Sequence, residues 1–461
     1  MMRVGPLLIV ALGLAGCALP PPPSERPSLP VAEAFPGGPG SGLPAADVPW
    51  QHFFTDGQLR ELIGYALANN RDLRIAVLNI EQARATFDVR QAERLPAVGA
   101  GVAGSRLPKG DGGSTTVYTV GLQVTAYELD LFGRVRNLSD AALAQYLATE
   151  AARRAVQVSL VASVANAWLA IQADEALLRV TRDTLQTRAE SHRLTRLRFE
   201  NGVSSMLEVR QSETLLESAR AALAQLARQR ALDQNALVLL VGQPLPPHLQ
   251  SPPPLPDEST ATSGLPDLPA GIPSDVLVRR PDVRQAELLL RAADANIGAA
   301  RAAFFPRITL TGSLGGVSSQ LSGLFSSGLA WSFTPQLLQP VFDAGRNRAN
   351  LQVAEASQRI AIAQYERTVQ VAFREVADAL AGRETFAEQL RAQQAQVRAE
   401  QERLVLAELG FRNGVRSYLE LLDAQRSLFS ARQAEVVLRA QHAQNLVTLY
   451  RVLGGGWTPP D

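Results

Sequence analysis

FRNGVRSYLELLDAQ, residues 411–425, restates FENGVSSMLEVRQSE, residues 199–213, at a distance of 212 positions. The match extends without a gap over 198–242 against 410–454, where 17 of 45 positions are identical. Gly345-Arg346 repeats Gly133-Arg134 at the same offset, and PDVRQA at 281 repeats RDLRIA at 71 with an offset of 210. The chain is therefore two tandem copies of one long unit. Two long units imply internal pseudo-symmetry rather than a solenoid, which needs more and shorter repeats.

The Asn-Gly pairs at 201–202 and 413–414 supply turns that accept a positive φ. Ahead of each turn lies a stretch built for a helix. From Arg134 to Glu200 there is no proline or glycine, and Arg346 to Arg412 has no proline and one mid-segment glycine, Gly382. At about 1.5 Å per residue each helix reaches roughly 100 Å. After the turns, 203–241 and 415–453 read as returning helices that stop at Gly242 and at Gly454-Gly455-Gly456. The opening stretch is thus the tip of a helical hairpin, and the chain has two. These helices are Ala-rich and moderately apolar, so they need partners along their length as coiled coils do.

Each copy also predicts a first helix, 57–94 and 275–304, ending before Pro96 and Pro306, and then two strands. Alternation is clear in 117–126, 307–314 and 329–334, and weaker in the Gly-rich 97–105. Apolar residues alternate with small polar ones, as in a strand with lipid on one side and a wet lumen on the other. A soluble hairpin with one solvated face has the same pattern. Outside the N-terminal leader the sequence has no run of 18 consecutive apolar residues, so any crossing is expected to be made of strands. Four strands leave two raw edges, which lipid does not tolerate. Two, three or four copies would close eight, twelve or sixteen strands, so an oligomer is required without its number being set.

The N-terminus carries Arg3, an apolar run from Pro6 to Gly16, and Leu14-Ala15-Gly16-Cys17. This reads as a secretory signal, and it resembles a bacterial lipoprotein signal in which Cys17 becomes the acylated first residue. Cys17 is the sole cysteine, so no disulfide forms within one chain. Ala18 follows it with no retaining aspartate, and the resemblance therefore implies the outer membrane. The expected organisation is a signal at 1–16, an acylated cysteine and Pro/Gly-rich tether at 17–49, a first repeat at 50–245, a Pro-rich linker at 246–273, a second repeat at 274–457 and a tail at 458–461.

Net charge is +1 from 45 basic and 44 acidic residues, which gives no field for nucleic acid. His52, His192, His248 and His442 show no metal-ligand spacing, and no phosphate loop or nucleophile elbow is present. No enzyme, metal or cofactor is expected.

LDLFGRVRN at 129–137, PVFDAGRNRAN at 340–350, RRPDVRQAE at 279–287, YLELLDAQRSLFSAR at 418–432 and the tandem repeat together resemble the TolC-like outer-membrane factors, nearest the OprM and NodT branch. That resemblance implies a mixed, mainly α fold: a homotrimer with one twelve-stranded barrel and one periplasmic tunnel of long helices. It implies the exit channel of a tripartite efflux system, most naturally RND-type, with a periplasmic adaptor and an inner-membrane transporter as partners. A type I protein secretion channel and a lipid-anchored periplasmic scaffold are the alternatives. By position, Leu419 resembles an apolar gate ring and Asp423 an acidic one, with Arg426 placed to pair with a carboxylate near them. The first copy has Leu207 but Gln211, so the acidic ring is expected only in the second. Gly202-Val203 and Gly414-Val415 resemble the tips that meet the adaptor. Only Met206 among the three methionines follows the signal, so no methionine relay for copper or silver is expected, and the cargo stays open.

Overall fold

The computed structural model describes residues 30–32, 35, 47–108, 110, 112–250, 253, 255, 277, 279–326 and 328–457. Cys17, the signal and most of the tether and of the 246–273 linker lie outside them. In chain order the elements are α1 Trp50–Phe53, α2 Gly57–Asn69, α3 Arg71–Ala92, β1 Val98–Pro108, β2 Ser114–Glu128, α4 Arg134–Glu200, α5 Met206–Val241, α6 Pro281–Ala302, β3 Arg307–Ser318, β4 Leu329–Leu338, α7 Arg346–Arg412 and α8 Tyr418–Val452. The fold is mainly helical. Both α4 and α7 are single helices of 67 residues. The chain divides into two units. One holds Leu78–Ala151 and Arg284–Thr368, and the other holds Pro30–Val77, Ala152–Val283 and Val369–Asp461.

The first unit contains one antiparallel sheet in the order β1-β2-β3-β4. Ala100, Leu122, Leu314 and Trp331 share one row, and Gly99, Gln123, Ser313 and Ser332 share the next. Alternation therefore carries across all four strands. One face presents Val98, Val102, Leu122, Leu314, Leu329, Trp331 and Phe333, all exposed, with Trp331 at 75%. The other presents glycine, serine, threonine and glutamine, including the Ser313–Ser332 hydroxyl pair at 2.7 Å. An uncovered row of large apolar side chains opposite a small polar face fits lipid on one side and water on the other. The strands run longer than the sequence pattern at most of their ends. Thr115, Thr116, Gly315 and Gly316 extend the ladder but carry no apolar signal.

Where β2 meets β3, Gly121 opposes Gly315. A Cβ on Gly315 would sit 1.9 Å from the Val120 carbonyl oxygen, and one on Gly121 would sit 2.2 Å from that of Leu314. Only glycine allows this approach. At the β2 end, a bulge between Val124 and Tyr127 puts Ala126 at φ 53°, with its N–H donating to the Thr311 hydroxyl at 3.2 Å.

The long helices bury heptad-like stripes. Tyr365, Val369, Ala372, Val376 and Ala379 on α7 are at most 3% exposed and follow a four-three spacing. Val436, Ala440, Ala443, Val447 and Tyr450 on α8 follow the same spacing and are at most 6% exposed. That is the seam of a coiled coil. Its aromatic end is closed by the Phe53–Tyr450 stack at 3.8 Å and by the Tyr450 hydroxyl donating to the Val48 carbonyl at 2.6 Å. Trp168 is buried and donates from Nε1 to Asp56 Oδ2 at 2.9 Å, while Asp56 Oδ1 caps α2. Arg280, 6% exposed, is held by Asp282 at 2.7 Å, Glu375 at 2.9 Å and the Val452 carbonyl.

Two expectations change. The helix predicted over 57–94 is broken at Asn70, whose extended backbone (ψ 131°) ends α2 while its side chain caps α3 at Leu73 N–H and ties down the Leu240 carbonyl. Its counterpart starts at Pro281 rather than 275. Among the described residues one helix, α4, is long and apolar enough to cross a membrane, and 56% of its apolar window is buried inside the protein.

Gly315→Val should block the β2–β3 ladder. The expected outcome is loss of the heat-modifiable band shift of the membrane-extracted protein on a gel; an unchanged shift would mean the strands can separate there at little cost.

Candidate functional site

The two hairpin ends are the candidate site, and both lie in the second unit. Each is built by the same backbone chemistry. Gly202 and Gly414 sit at φ 73° and 72°, the left-handed region that favours glycine. The following N–H groups, of Val203 and Val415, return to the Arg198 and Gly410 carbonyls at 2.8 and 2.9 Å. Ser205 and Ser417 then cap the returning helices through Glu208 N–H and Glu420 N–H. Repetition of Asn-Gly-Val-x-Ser-x-Leu-Glu is thus repetition of a turn and a cap. The side chains of Val203 and Val415 are left exposed at the tips, at 65% and 78%.

Beyond the cap the two ends diverge. At the start of α5, Met206 and Leu207 are both exposed. At the start of α8, Tyr418 turns inward, 6% exposed, and packs with Leu215, Ala407, Leu421, Leu422 and Ala424. Its hydroxyl accepts from the Thr195 hydroxyl at 3.0 Å, a buried bond from the first hairpin to the second. Phe411 leans on the Tyr418 ring at 5.3 Å, and the Arg198 guanidinium lies 4.9 Å from the Phe411 centroid.

Leu419 points away from this core and is 60% exposed. Asp423, one turn on, is also exposed, and it accepts a short charge-assisted bond from Arg403 of α7. Arg403 additionally pairs with Glu400 at 3.1 Å. These bonds, Asp423 first and Glu400 next, raise the Arg403 guanidinium above its ordinary value. Arg426 lies three residues beyond Asp423 on α8. It is exposed and has no carboxylate partner among the described residues; it is Arg403 that holds Asp423 within the chain. The charge of Arg426 is felt by Arg188 of α4. Burial, and then the positive charge of Arg426, pulls the Arg188 guanidinium below its ordinary value. Arg188 donates to the Leu215 carbonyl and the Ser218 hydroxyl and lies 4.9 Å from the Phe429 ring centroid.

Arg403, Tyr418 and Thr195 were missed from sequence. A signal for Arg403 existed: it stands eleven residues before Gly414 and Asp423 stands nine after it, so an antiparallel hairpin brings them level. Tyr418–Thr195 joins the two copies and had no such signal. Among the described residues no group of three or more His, Cys, Asp or Glu could hold a metal.

A family model described as outer membrane efflux protein matches residues 62–243 and again 272–455. Among proteins of known sequence, the chain is similar to the antibiotic efflux pump outer membrane protein ArpC of Pseudomonas putida, with 46% identity over 465 residues, 98% of this chain and 95% of that one. The toluene efflux pump outer membrane protein TtgC, also of Pseudomonas putida, matches with the same identity and coverage. Among solved structures, the open state of the Neisseria gonorrhoeae MtrE outer membrane channel has a TM-score of 0.86 at 41% identity, covering 96% of this chain and 99% of that one.

Tyr418→Phe should cost about 1 kcal/mol of local stability, the net value of one buried neutral hydrogen bond. Amide exchange over the first two turns of α8 should speed up by several-fold; unchanged exchange would make the Thr195 contact incidental.

Proposed function

We propose that this chain, which belongs to the outer membrane efflux protein family and forms the outer-membrane exit channel of an efflux pump, works as one third of a trimeric duct fed by a periplasmic adaptor and an RND-type inner-membrane transporter. The observation that carries this reading is the sheet. Its lipid-like face is uncovered, its β1 and β4 edges are unpaired among the described residues, and β2 and β4 lead within a few residues into helices of 67 residues. Three copies supply twelve strands, enough to close a barrel around a water-filled lumen. An anchored scaffold would have no use for such a face.

The cargo is a class of small apolar and amphipathic molecules. Relatives named for antibiotic and for toluene efflux support this. Selection of cargo belongs to the inner-membrane partner.

Cys17 carries the lipid anchor in this proposal, and the repeats occupy 50–245 and 274–457. The Gly202-Val203 and Gly414-Val415 tips receive the adaptor. Leu419 and Asp423 form the periplasmic constriction, one apolar ring and one acidic ring, with Arg426 on the same face and free to meet a neighbouring copy. Three carboxylates about one axis favour cations. Arg403 draws each Asp423 toward its own chain, which offsets the repulsion among them.

Single-channel conductance in a planar bilayer tests the gate. The parent should show a small, cation-favouring conductance, and Leu419→Ala with Asp423→Ala a larger one with weaker selectivity. Equal conductance would remove the gate assignment, and silence from both would remove the channel reading. Cys17→Ser behind a cleavable signal should still give an oligomer inserted in the membrane, because the strands hold it there. Recovery as soluble monomer would show that the lipid is essential.

A further inference from the structure

Asp174 lies on the buried face of α4, between Ala173 and the Ala176-Leu177 pair, in a cluster completed by Leu255 and by Val436 and Ala440 of α8. It is 6% exposed, and among the described residues no donor reaches its Oδ2. The Arg230–Glu175 bond at 2.7 Å sets α5 against α4 one residue away, and the acid that bears on Asp174 there is Asp233 of α5. The nearby cation, Arg230, draws the Asp174 carboxyl down only in part, being shared among other acceptors. Arg230 donates to Glu175 at 2.7 Å, to Gln234 at 2.8 Å and to the Gln250 carbonyl at 2.8 Å. Asp233 is held by Gln229 of its own helix.

On α8 Arg439 pairs with Glu435 at 2.6 Å. His442 is held below its ordinary value by burial alone, with no carboxylate acting on it. The described residues of the covering segment, Pro253 and Leu255, are uncharged.

We infer that Asp174 and Asp233 form a proton-dependent brace between α4 and α5, a hydrogen bond while one proton is shared and a repulsion once both are ionised. Two facing carboxylates repel when both are ionised and share a hydrogen bond when one is protonated. Burial first, then the hydrogen bond and charge of Asp233, push the Asp174 carboxyl up from 3.8 to about 7. The second repeat has no such brace. Phe386 and Asn445 stand 212 positions beyond Asp174 and Asp233, and Asn445 Nδ2 donates to the Ala379 carbonyl at 2.9 Å. Proton dependence is therefore confined to the first hairpin, and a trimer would carry three such braces.

The direction follows from linkage. With the opened hairpin's acid at its ordinary value and the closed one's raised, the open form loses its proton first as pH rises. The closed hairpin loses stability progressively between about pH 4 and 7 and then levels off.

Hydrogen–deuterium exchange of the full chain in detergent, corrected for intrinsic rates, reads this in the peptides covering Asp174 and Asp233. Protection in the parent should fall roughly tenfold or more between about pH 4.5 and 7 and then level off. Asp174→Asn should abolish that slope, Asp423→Asn should leave it intact, and the peptides around Phe386 and Asn445 should lack it. A parent without the slope, or an Asp174→Asn variant with the parent's slope, overturns the brace. If Asp174→Asn does not fold, Asp233→Asn decides in its place: removing the partner should move the fall to lower pH and shrink it, and a parent-like profile overturns the brace.

Discussion

The structure depends on a sheet that cannot stand alone. Four strands in order leave the outer edges of β1 and β4 with rows of unpaired N–H and C=O groups. Beside them runs a face carrying Leu122, Leu314, Trp331 and Phe333 in the open. In water that face aggregates, and in lipid those edges cost several kcal/mol for each unsatisfied group. Pairing with further copies resolves both problems at once. The small lumen-side residues follow from the same demand, because glycine at 121 and 315 lets β2 and β3, from different repeats, meet at backbone contact. The single sheet is thus where the two halves of the duplicated chain become one object.

Duplication kept backbone geometry and released side-chain chemistry. Both tips retain the left-handed glycine and the serine cap, because a turn that loses either opens a helix end. Around those turns the copies part. Met206 is exposed where Tyr418 is buried, Gln211 stands where Asp423 binds Arg403, and Asp174 faces Asp233 where Phe386 and Asn445 stand. The differences give each hairpin its own chemistry: an Asp423–Arg403 ion pair near the tip of the second, and a buried carboxyl at Asp174 in the first.

The architecture was legible because long-range repetition and the absence of helix breakers are strong signals. Sixty-seven residues without proline or an early glycine leave α4 little choice but one helix, and alternation at 307–314 and 329–334 locates two strands. What was hidden depended on side chains acting at a distance. Asn70 breaks a helix since it caps the next one and reaches Leu240, which lies 170 positions on. Arg426, read beside Asp423 in sequence, lies on the same helix three residues further. A helix places such neighbours side by side, but the bond to Asp423 comes from α7, where Arg403 arrives from the opposite arm of the hairpin. Hairpin register sets the partner of Asp423 within the chain.

The exposure pattern of α8 separates what the chain does for itself from what it offers to others. Leu421, Ala424, Leu428 and Ala431 are buried with the spacing of a coiled-coil seam. Leu419, Asp423, Arg426 and Ser430 fall at intervals of four, three and four on another face, and all are exposed. A leucine left 60% exposed beside leucines at 6% and 3% is costly unless something else covers it. The same applies to Val415 at the tip, 78% exposed. One helix thus has a filled seam and an open stripe, and the open stripe begins at the tip and runs through the proposed constriction. A gate placed there draws its apolar ring from surface that intrachain packing leaves unused, so opening it need not disturb the seam that holds the hairpin together.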